Sequence, residues 1–430
     1  MSLNNELATA PGACDVLVVG AGPAGSAAAR TLATAGLDVV QVDQHVFPRD
    51  KICGDALIPD AHKALRKLGL LDEVMRQAHP VTHVACIGSR GGRIDVPGTL
   101  AVLPRKQLDE LLLRGAQERG VRFHAPARFV APLVEGDRVV GARLQAPESD
   151  GQPALTREIR TRWVVLATGA TPQALLAAEV CERQTPSGMA LRGYVKNDAM
   201  AERIKAVEVV WHRSLTPGYG WIFPCGPGVF NIGVGLAHSH DQPGQSARRS
   251  RMQDINLRDV FASFTKFYAP ARELMDGGTL LGALKGAPLR CTLEGARYSR
   301  PGLLVTGEAA GSTYSFTGEG IGKALETGTL AAEAILAEPR GAGAANGGGS
   351  DERDALVRQH YEASLAELKP RFVLYEQANK VNRHPWLSDL LIWRAQRSPR
   401  VLQRMSGVLE ETSNPASLVS LRGIFKLFGN

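Results

Sequence analysis

The chain contains no apolar run approaching the roughly 18 residues that a membrane span needs. Its first twelve residues, MSLNNELATAPG, lack a basic region followed by a hydrophobic one, so neither a spanning segment nor an export signal is expected. Cysteine is scarce: six in 430 residues, none spaced as a CxxC pair. That excludes a dithiol redox motif and a clustered zinc site, and it suits a reduced, cytoplasmic compartment. Neither sign of charge dominates, since 50 Lys and Arg against 43 Asp and Glu leave a net charge of +7. The excess is too small and too dispersed for a nucleic-acid partner, but it suits phosphate-bearing ligands or an acidic protein. With 44% hydrophobic and 22% charged residues the composition is that of an average globular protein, which excludes a disordered chain, a coiled coil and a collagen-like fibre. The length provides for two or three domains with sizeable cores.

Glycine is not scarce. There are 46, and they are placed rather than scattered. Residues 15–19 form a short apolar run that reads as a buried strand, followed by GAGPAG (20–25), an alanine-rich helical stretch at 26–35 and a second apolar run at 37–42 ending in Asp43. Strand, glycine turn, helix, strand and acid in one short unit is the setting a dinucleotide fingerprint requires. Gly20 permits the tight turn, Gly22 lets backbone approach a pyrophosphate, and Gly25 lets helix and strand pack closely. Pro23 and Ala24 open the helix whose N-terminus receives the phosphates. Asp43 stands where a carboxylate accepts hydrogen bonds from a ribose diol.

Further along, residues 44–59 read as loop and 60–68 as a helix capped by Asp60. A second amphipathic helix is predicted at 107–119, a hairpin at 129–133 and 139–144, and a strand at 163–167 entering Thr168-Gly169. Strand-like runs dominate from 187 to 236 and predict a mainly antiparallel second domain. Within them Tyr219, Trp221 and Phe223 alternate along one strand and share a face, either as a substrate wall or as a core stripe. A strand at 302–306 leads through a glycine-rich turn to a long helix at 318–337. GAGAANGGGS (341–350) reads as a flexible linker, and 351–430 as helical throughout. The histidines, His83, His124, His212, His238 and His240 among them, sit in no motif and are expected to be structural.

Four stretches together carry a family resemblance: GAGPAG, FPRDKICG (47–54), VVLATGA (164–170), and GLLVTGEAAG (302–311) continuing into SFTGEGI (315–321). With them the chain resembles the geranylgeranyl-reductase branch of the p-hydroxybenzoate-hydroxylase-like flavoproteins, over residues 14–340 and in character also the helical tail. The resemblance implies FAD and an α/β fold. That fold is a Rossmann-type, glutathione-reductase-like three-layer FAD-binding domain, with an inserted mainly antiparallel β substrate domain and a C-terminal helical arm. Residues 1–80, 105–185 and 291–340 would form the first domain, 81–104 and 186–290 the second, 341–350 the linker and 351–430 the arm. Cofactor contacts are implied at Gly20, Gly22, Pro23, Ala24, Gly25, Asp43, Gln44, Arg49, Cys53, Gly54, Arg105, Val130, Thr168, Gly169, Gly307, Glu308, Gly318, Gly320 and Ile321. No metal is implied. The helix start at 318–321 would face the flavin pyrimidine ring, where free N–H groups and the positive helix end stabilise negative charge on reduced flavin. Glu308 stands where the family usually carries Asp, and Ser315 where it commonly carries Pro. The YxWxFP pattern of the branch's reductases makes Tyr219, Trp221, Phe223 and Pro224, with Phe316, the implied substrate pocket. Cys53 is either a reactive thiol or an inert buried one.

A single dinucleotide fingerprint leaves no separate NAD(P)H domain, so electrons are expected from NAD(P)H or an external reductase. Halogenases of this fold need a lysine between flavin and substrate and usually show WxWxIP. Here no Lys occurs from 68 to 105, and Tyr219 replaces the first Trp. Two chemistries remain, besides a flavin-binding assembly factor without activity. A monooxygenase would hydroxylate an electron-rich aromatic group through a flavin C4a-hydroperoxide, and a reductase would deliver hydride to an isoprenoid double bond. Oxygenation is the preferred expectation, because the one candidate membrane-facing stretch, 418–428, interrupts its apolar residues with Arg422 and Lys426. In length and layout the chain also resembles flavoproteins that mature tryptophylquinone cofactors, including the peptidyl-tryptophan dihydroxylases of quinohemoprotein amine dehydrogenase biogenesis. That resemblance implies a hydrophobic aromatic substrate, a tryptophan of a protein partner, with Arg394, Arg397, Arg400 and Arg404 docking an acidic surface. No residue is singled out as catalytic acid or base.

Overall fold

Valine and leucine fill the first strand, β1 (Ala13–Val19), which lies buried at the centre of a sheet. The computed structural model describes residues 7–148, 154–237, 255–337 and 350–419. After β1 come α1 (Pro23–Thr34), β2 (Val39–Val42), β3 (Ala56–Leu57), α2 (Pro59–Lys67), α3 (Leu71–Gln77), β4 (His79–Ile87), β5 (Arg93–Val102), α4 (Arg105–Gln117) and β6 (Arg122–His124). Then follow β7 (Arg128–Glu135), β8 (Arg138–Gln145), β9 (Thr156–Leu166), α5 (Gln173–Ala177), β10 (Gly188–Lys196), β11 (Val207–Val210), β12 (Gly218–Gly226) and β13 (Val229–Ala237). The last part holds α6 (Leu257–Phe267), α7 (Ala269–Asp276), β14 (Thr279–Leu280), β15 (Lys285–Leu289), β16 (Ser299–Arg300), β17 (Leu303–Val305) and α8 (Ile321–Leu336). The arm is α9 (Ser350–Ala378), α10 (Lys380–Arg383), α11 (Pro385–Ala395), α12 (Pro399–Leu409) and α13 (Ala416–Val419).

The first sheet runs β16-β17-β9-β1-β2-β6, with the β7–β8 hairpin added through β8 to β9. β17, β9, β1, β2 and β6 are parallel, so their carboxyl ends open on one edge. This is the Rossmann-type α/β arrangement, and ligands bind at that edge. The second sheet runs β14-β10-β13-β12-β11-β4-β5-β3, with β15 on β10. It is antiparallel except where β11 pairs parallel with β4. α9 packs on the first sheet's helical layer: Tyr361, Phe372 and Tyr375 share a cluster with Val16, Val18, Ala331 and Ile335. α11 and α12 pack on the second sheet, where Leu387, Leu391 and Ile392 meet Trp221 and Phe223.

The two ends of the chain are also joined by buried charge. Lys323 of α8, only 3% exposed, places its Nζ 2.6 Å from Glu326, 2.9 Å from Glu411 and 3.5 Å from Asp60. Glu411 accepts further bonds from the Tyr314 hydroxyl at 2.7 Å and from Arg371 at 2.6 Å. Burial alone would lower the lysine's pKa, but Asp60, Glu326 and Glu411 outweigh it and hold the ammonium charged.

Several boundaries differ from expectation for stated reasons. Asp60 does not cap α2: Pro59 occupies the first helical position, where its missing N–H costs nothing, and Ile58 takes the cap. Freed from capping, Asp60 turns inward to Lys323, and burial pushes its pKa up to about 7. α4 begins at Arg105 because Pro104 sets its entry. α8 begins at Ile321 rather than 318, since Gly318 adopts φ 71°, outside the helical region. The strand expected at 163–167 reaches back to Thr156 and pairs with β8. Residues 341–349 of the expected linker, His238, His240 and most of the stretch 418–428 lie outside the described residues.

Candidate functional site

The carboxyl ends of β1, β2, β9 and β17 release the glycine turn, Asp43, Thr168-Gly169 and Gly307-Glu308 beside one another. A side chain at Gly20 would place its Cβ 2.3 Å from the Ala167 carbonyl oxygen, and one at Gly25 would stand 1.9 Å from the Gly20 carbonyl oxygen. The turn is thus packed to backbone contact. Gly22 occupies the cap position of α1 with no side-chain cap, and no acid sits in that helix's first turn. Among the described residues the N–H groups of Gly22, Ala24 and Gly25 have no partner.

Two guanidinium groups close on this turn. Arg49 and Arg105 come within 3.6 and 3.8 Å of the position a Gly22 Cβ would take. Both are held by Asp109, which is fully buried. It accepts Arg49 Nη1 at 2.9 Å, Arg105 Nε at 2.7 Å and Arg105 Nη2 at 2.9 Å. Burial opposes the Arg105 charge, and Asp109 more than compensates. Neither arginine is a solvated loop charge. Asp43 accepts the N–H groups of Ala21 and His45, each at 2.9 Å, and lies 3.7 Å from Arg49. Burial pulls its pKa up, but His45, Arg49 and these N–H groups outweigh burial and hold it ionised below the usual range. Thr168 contributes a buried hydroxyl with no hydrogen-bond partner among the described residues. Unpaired N–H donors, two positioned cations, an ionised acid and an orphaned hydroxyl on one edge fit the pyrophosphate and ribose of FAD.

The remaining implied contacts are placed unevenly. Gly307, at φ 65°, packs against Ala24, where a Cβ would come within 2.5 Å. Glu308 is 18% exposed and lies 3.8 Å from Lys51 Nζ. Gly320 and Ile321 present N–H groups without partners among the described residues, while the next N–H, that of Gly322, is taken by Glu319 at 2.7 Å. Cys53 is half-buried, its sulfur accepts the Asp55 N–H at 3.4 Å, and desolvation raises its pKa, which describes an inert thiol. Gln44 is exposed beside Asp43, and Val130 is 37% exposed in the bulge between Phe129 and Ala131 on β7.

From the second sheet, Tyr219, Trp221 and Phe223 form a continuous row along β12, with successive ring centroids 6.2 Å apart. Each end of the row touches a loop from the first sheet. Phe223 abuts Gly54, where a Cβ would fall 2.7 Å from its ring. Tyr219 donates to the Thr317 carbonyl at 2.8 Å and crowds Gly318. Pro224 is buried and Phe316 half-buried beside the row. Behind it, Trp221 Nε1 donates to Asn231 at 2.9 Å, Asn231 donates to Asp55 at 2.7 Å, and Tyr194 donates to Asp55 at 2.5 Å. Burial pushes Asp55 up to about 6, against the bonds from Tyr194 and Asn231 and the charges of Arg192 and Arg105.

Residues 13–213 match the family described as FAD binding domain. A menaquinone reductase of Mycolicibacterium smegmatis is 31% identical over 371 residues, 81% of this chain and 81% of that protein. The chain belongs to the geranylgeranyl-reductase-like branch of the FAD-dependent oxidoreductases. FAD is its cofactor. Digeranylgeranylglycerophospholipid reductase 2 of Methanopyrus kandleri is 27% identical over 321 residues, 74% of this chain and 76% of that one. Among solved structures, a geranylgeranyl bacteriochlorophyll reductase-like protein from Thermoplasma acidophilum matches with a TM-score of 0.71 at 20% identity, covering 97% of this chain and 96% of that one. That last likeness is one of fold.

Asp55, Asp109, Asn231, Tyr194 and the Asp60–Lys323 cluster escaped the sequence reading. Each is polar, stands in no motif, and meets partners far away in the chain. Asp55 alone carried a signal, as the residue following Cys53-Gly54 in a stretch already singled out.

Proposed function

We propose that this chain is an FAD-dependent reductase that saturates a carbon–carbon double bond in an isoprenoid chain. The observation that carries this reading is the aromatic row spanning the gap between the 53–55 loop and the 317–318 loop. It continues, through Trp221 and Phe223, into the apolar cluster under α11. An apolar wall of aromatic rings beside the cofactor edge suits a long hydrocarbon substrate. Two relatives support the same reading: menaquinone and digeranylgeranyl lipids differ in their head groups and share an isoprenoid chain. The expectation of aromatic hydroxylation drew on the interrupted apolar stretch at 418–428, and its protein-tryptophan form on resemblance in length and layout; the relatives named reductases support reduction instead.

Reduced FAD would supply two electrons and one hydrogen as hydride to one alkene carbon; a proton must reach the other carbon, and an external donor, NAD(P)H or a reductase protein, restores the reduced cofactor. The chain's part is to hold the substrate along Tyr219, Trp221 and Phe223, exclude water, and keep the cofactor edge charged by Arg49 and Arg105. Asp55, whose carboxyl exchanges its proton near neutral pH, is the proton store behind the row.

The test is anaerobic. Holoprotein reduced chemically is mixed with menaquinone, with a digeranylgeranyl lipid, or with a tryptophan-containing peptide, and flavin reoxidation is followed by absorbance with mass analysis of the product. Reoxidation by an isoprenoid, with the product gaining two hydrogens, is the expected result. Reoxidation that needs oxygen and hydroxylates the peptide would establish the monooxygenase reading instead.

A further inference from the structure

One polar side chain of the arm is buried where an apolar one would pack. Asn382, on α10, is 0% exposed, and Ala378, Val381 and Leu387 close to it in the chain belong to the apolar cluster under the second sheet. Burying an amide costs free energy unless its donors and acceptor are satisfied. Here three hydrogen bonds meet it. Trp211 Nε1 donates to its Oδ1 at 2.7 Å, and its Nδ2 donates to the Phe316 carbonyl at 3.1 Å and to Asn379 Oδ1 at 2.7 Å. The amide can face only one way. An indole N–H only donates and a carbonyl only accepts, so the oxygen lies toward Trp211 and the nitrogen toward Phe316.

These bonds are part of a closed circuit. The next carbonyl in the chain, that of Thr317, accepts the Tyr219 hydroxyl at 2.8 Å, and the Tyr219 ring lies 6.3 Å from the Trp211 ring. Two adjacent carbonyls of one turn are therefore gripped by different parts of the molecule, Phe316 by the arm and Thr317 by the second sheet, and the two grips meet at Trp211. The turn itself is stiff: the Gly318 N–H bonds back to the Tyr314 carbonyl at 2.9 Å, and the Tyr314 N–H to the Glu319 carbonyl at 2.8 Å. It moves as one piece. Directly after it come Gly320 and Ile321, whose N–H groups have no partner among the described residues, and Gly320, in the cap position of α8, has no side chain to hold them.

We propose that Asn382 is a positioning residue of the FAD site: by holding the Phe316 carbonyl it fixes where the Gly320 and Ile321 N–H groups stand, so the arm sets how much more tightly reduced flavin is held than oxidised flavin. Donors aimed at a ring that gains negative charge on reduction favour the reduced state only while they keep their places. The inference rests on the α8 start facing the flavin and not on the reaction that the reduced flavin performs, so it stands or falls apart from the reductase reading.

Holoprotein would be equilibrated anaerobically with a dye of known potential, and the absorbance of flavin and dye recorded together during reduction. Asn382→Leu keeps the volume and removes all three bonds. Its reduced flavin should lose on the order of tenfold in affinity relative to oxidised flavin, a fall of about 30 mV for a two-electron couple, with oxidised flavin content as in the parent. Trp211→Phe keeps a ring and removes the donor, and should shift the potential the same way by about threefold. The double variant should match Asn382→Leu alone, because the indole N–H acts through Asn382. Val357→Ala, a buried site at the other end of α9, should lower the unfolding midpoint and leave the potential where it is. A parent-like potential in Asn382→Leu, a double variant whose shift is the sum of the two, or an equal shift in Val357→Ala overturns the proposal. Should Asn382→Leu fail to retain flavin, Trp211→Phe decides, and an unshifted potential in it is equally fatal.

Discussion

The glycine edge of the first sheet and the aromatic row of the second are built by opposite means. At the edge, backbone does the recognition: among the described residues the N–H groups of Gly22, Ala24 and Gly25 stand unpaired, and Cβ atoms are excluded at distances of 1.9 to 2.5 Å by neighbouring carbonyl and methyl groups. In the row, side chains do it, and their polar backing runs to partners 139 and 176 residues away in sequence. A backbone-built site has one tolerated sequence and one ligand class. A site of side chains on a fixed sheet keeps its fold when they change, so the proposed substrate wall can vary where the glycine edge cannot.

That contrast can be broken most sharply at the edge. Gly25→Val puts a branched side chain where a single Cβ already lies 1.9 Å from a carbonyl oxygen. It should cost about 4 kcal/mol or more and release FAD, which the ratio of flavin to protein absorbance and chemical denaturation would show; a variant retaining full flavin would refute the backbone account. Behind the row the effect is smaller and depends on pH. Asp55 titrates near 3.8 when unfolded and about 6 when folded, so the folded state holds its proton more tightly. The stability this gives is complete below pH 4 and is lost as pH rises through 6, by roughly 2 to 3 kcal/mol. Asp55→Asn removes the titration. Relative to the parent it should gain stability between pH 4 and pH 7, read as a shift in urea midpoint, and a constant difference across that range would contradict the assignment. The smallest change is Tyr219→Phe, which keeps the ring and loses the bond to the Thr317 carbonyl. Stability should fall by about 1 kcal/mol with flavin content unchanged, and a loss of flavin instead would mean that the row helps to build the edge.

The glycine edge was legible in the sequence because its logic is local: turn, helix start and terminal acid follow one another along β1, α1 and β2, and their spacing is their geometry. The YxWxFP strand was legible as a face, since alternation places Tyr219, Trp221 and Phe223 on one side, but the individual contacts of Phe223 with Gly54 and of Tyr219 with Thr317 were not. Asp109 could not be found from spacing, because its role depends on Arg49, 60 residues earlier, and the helical neighbour Arg105. Asp60 misled for a physical reason. An acid at a helix start reads as a cap, yet the helix begins at Pro59 with Ile58 as its cap, which puts Asp60 two positions past the cap and leaves its carboxylate free to turn toward Lys323. The exposed tryptophans of α11 were hidden differently. Trp386, Leu387, Leu390, Leu391, Ile392 and Trp393 cover the helix nearly all round, and sequence alone does not say which side the sheet covers.

The Lys323 crossing changes what the glycine-rich run at 341–350 separates. The ammonium is shared by Asp60 on α2, by Glu326 on its own helix and by Glu411 beyond α12, so it closes a loop between the first and last parts of the chain. Removing the arm would strip a buried cation of its most heavily bonded carboxylate, a far larger loss than cutting a surface contact. The FAD-binding part and the arm should therefore melt in one cooperative transition. By that measure the run of glycines marks a break in the covalent pattern and not in the folding unit.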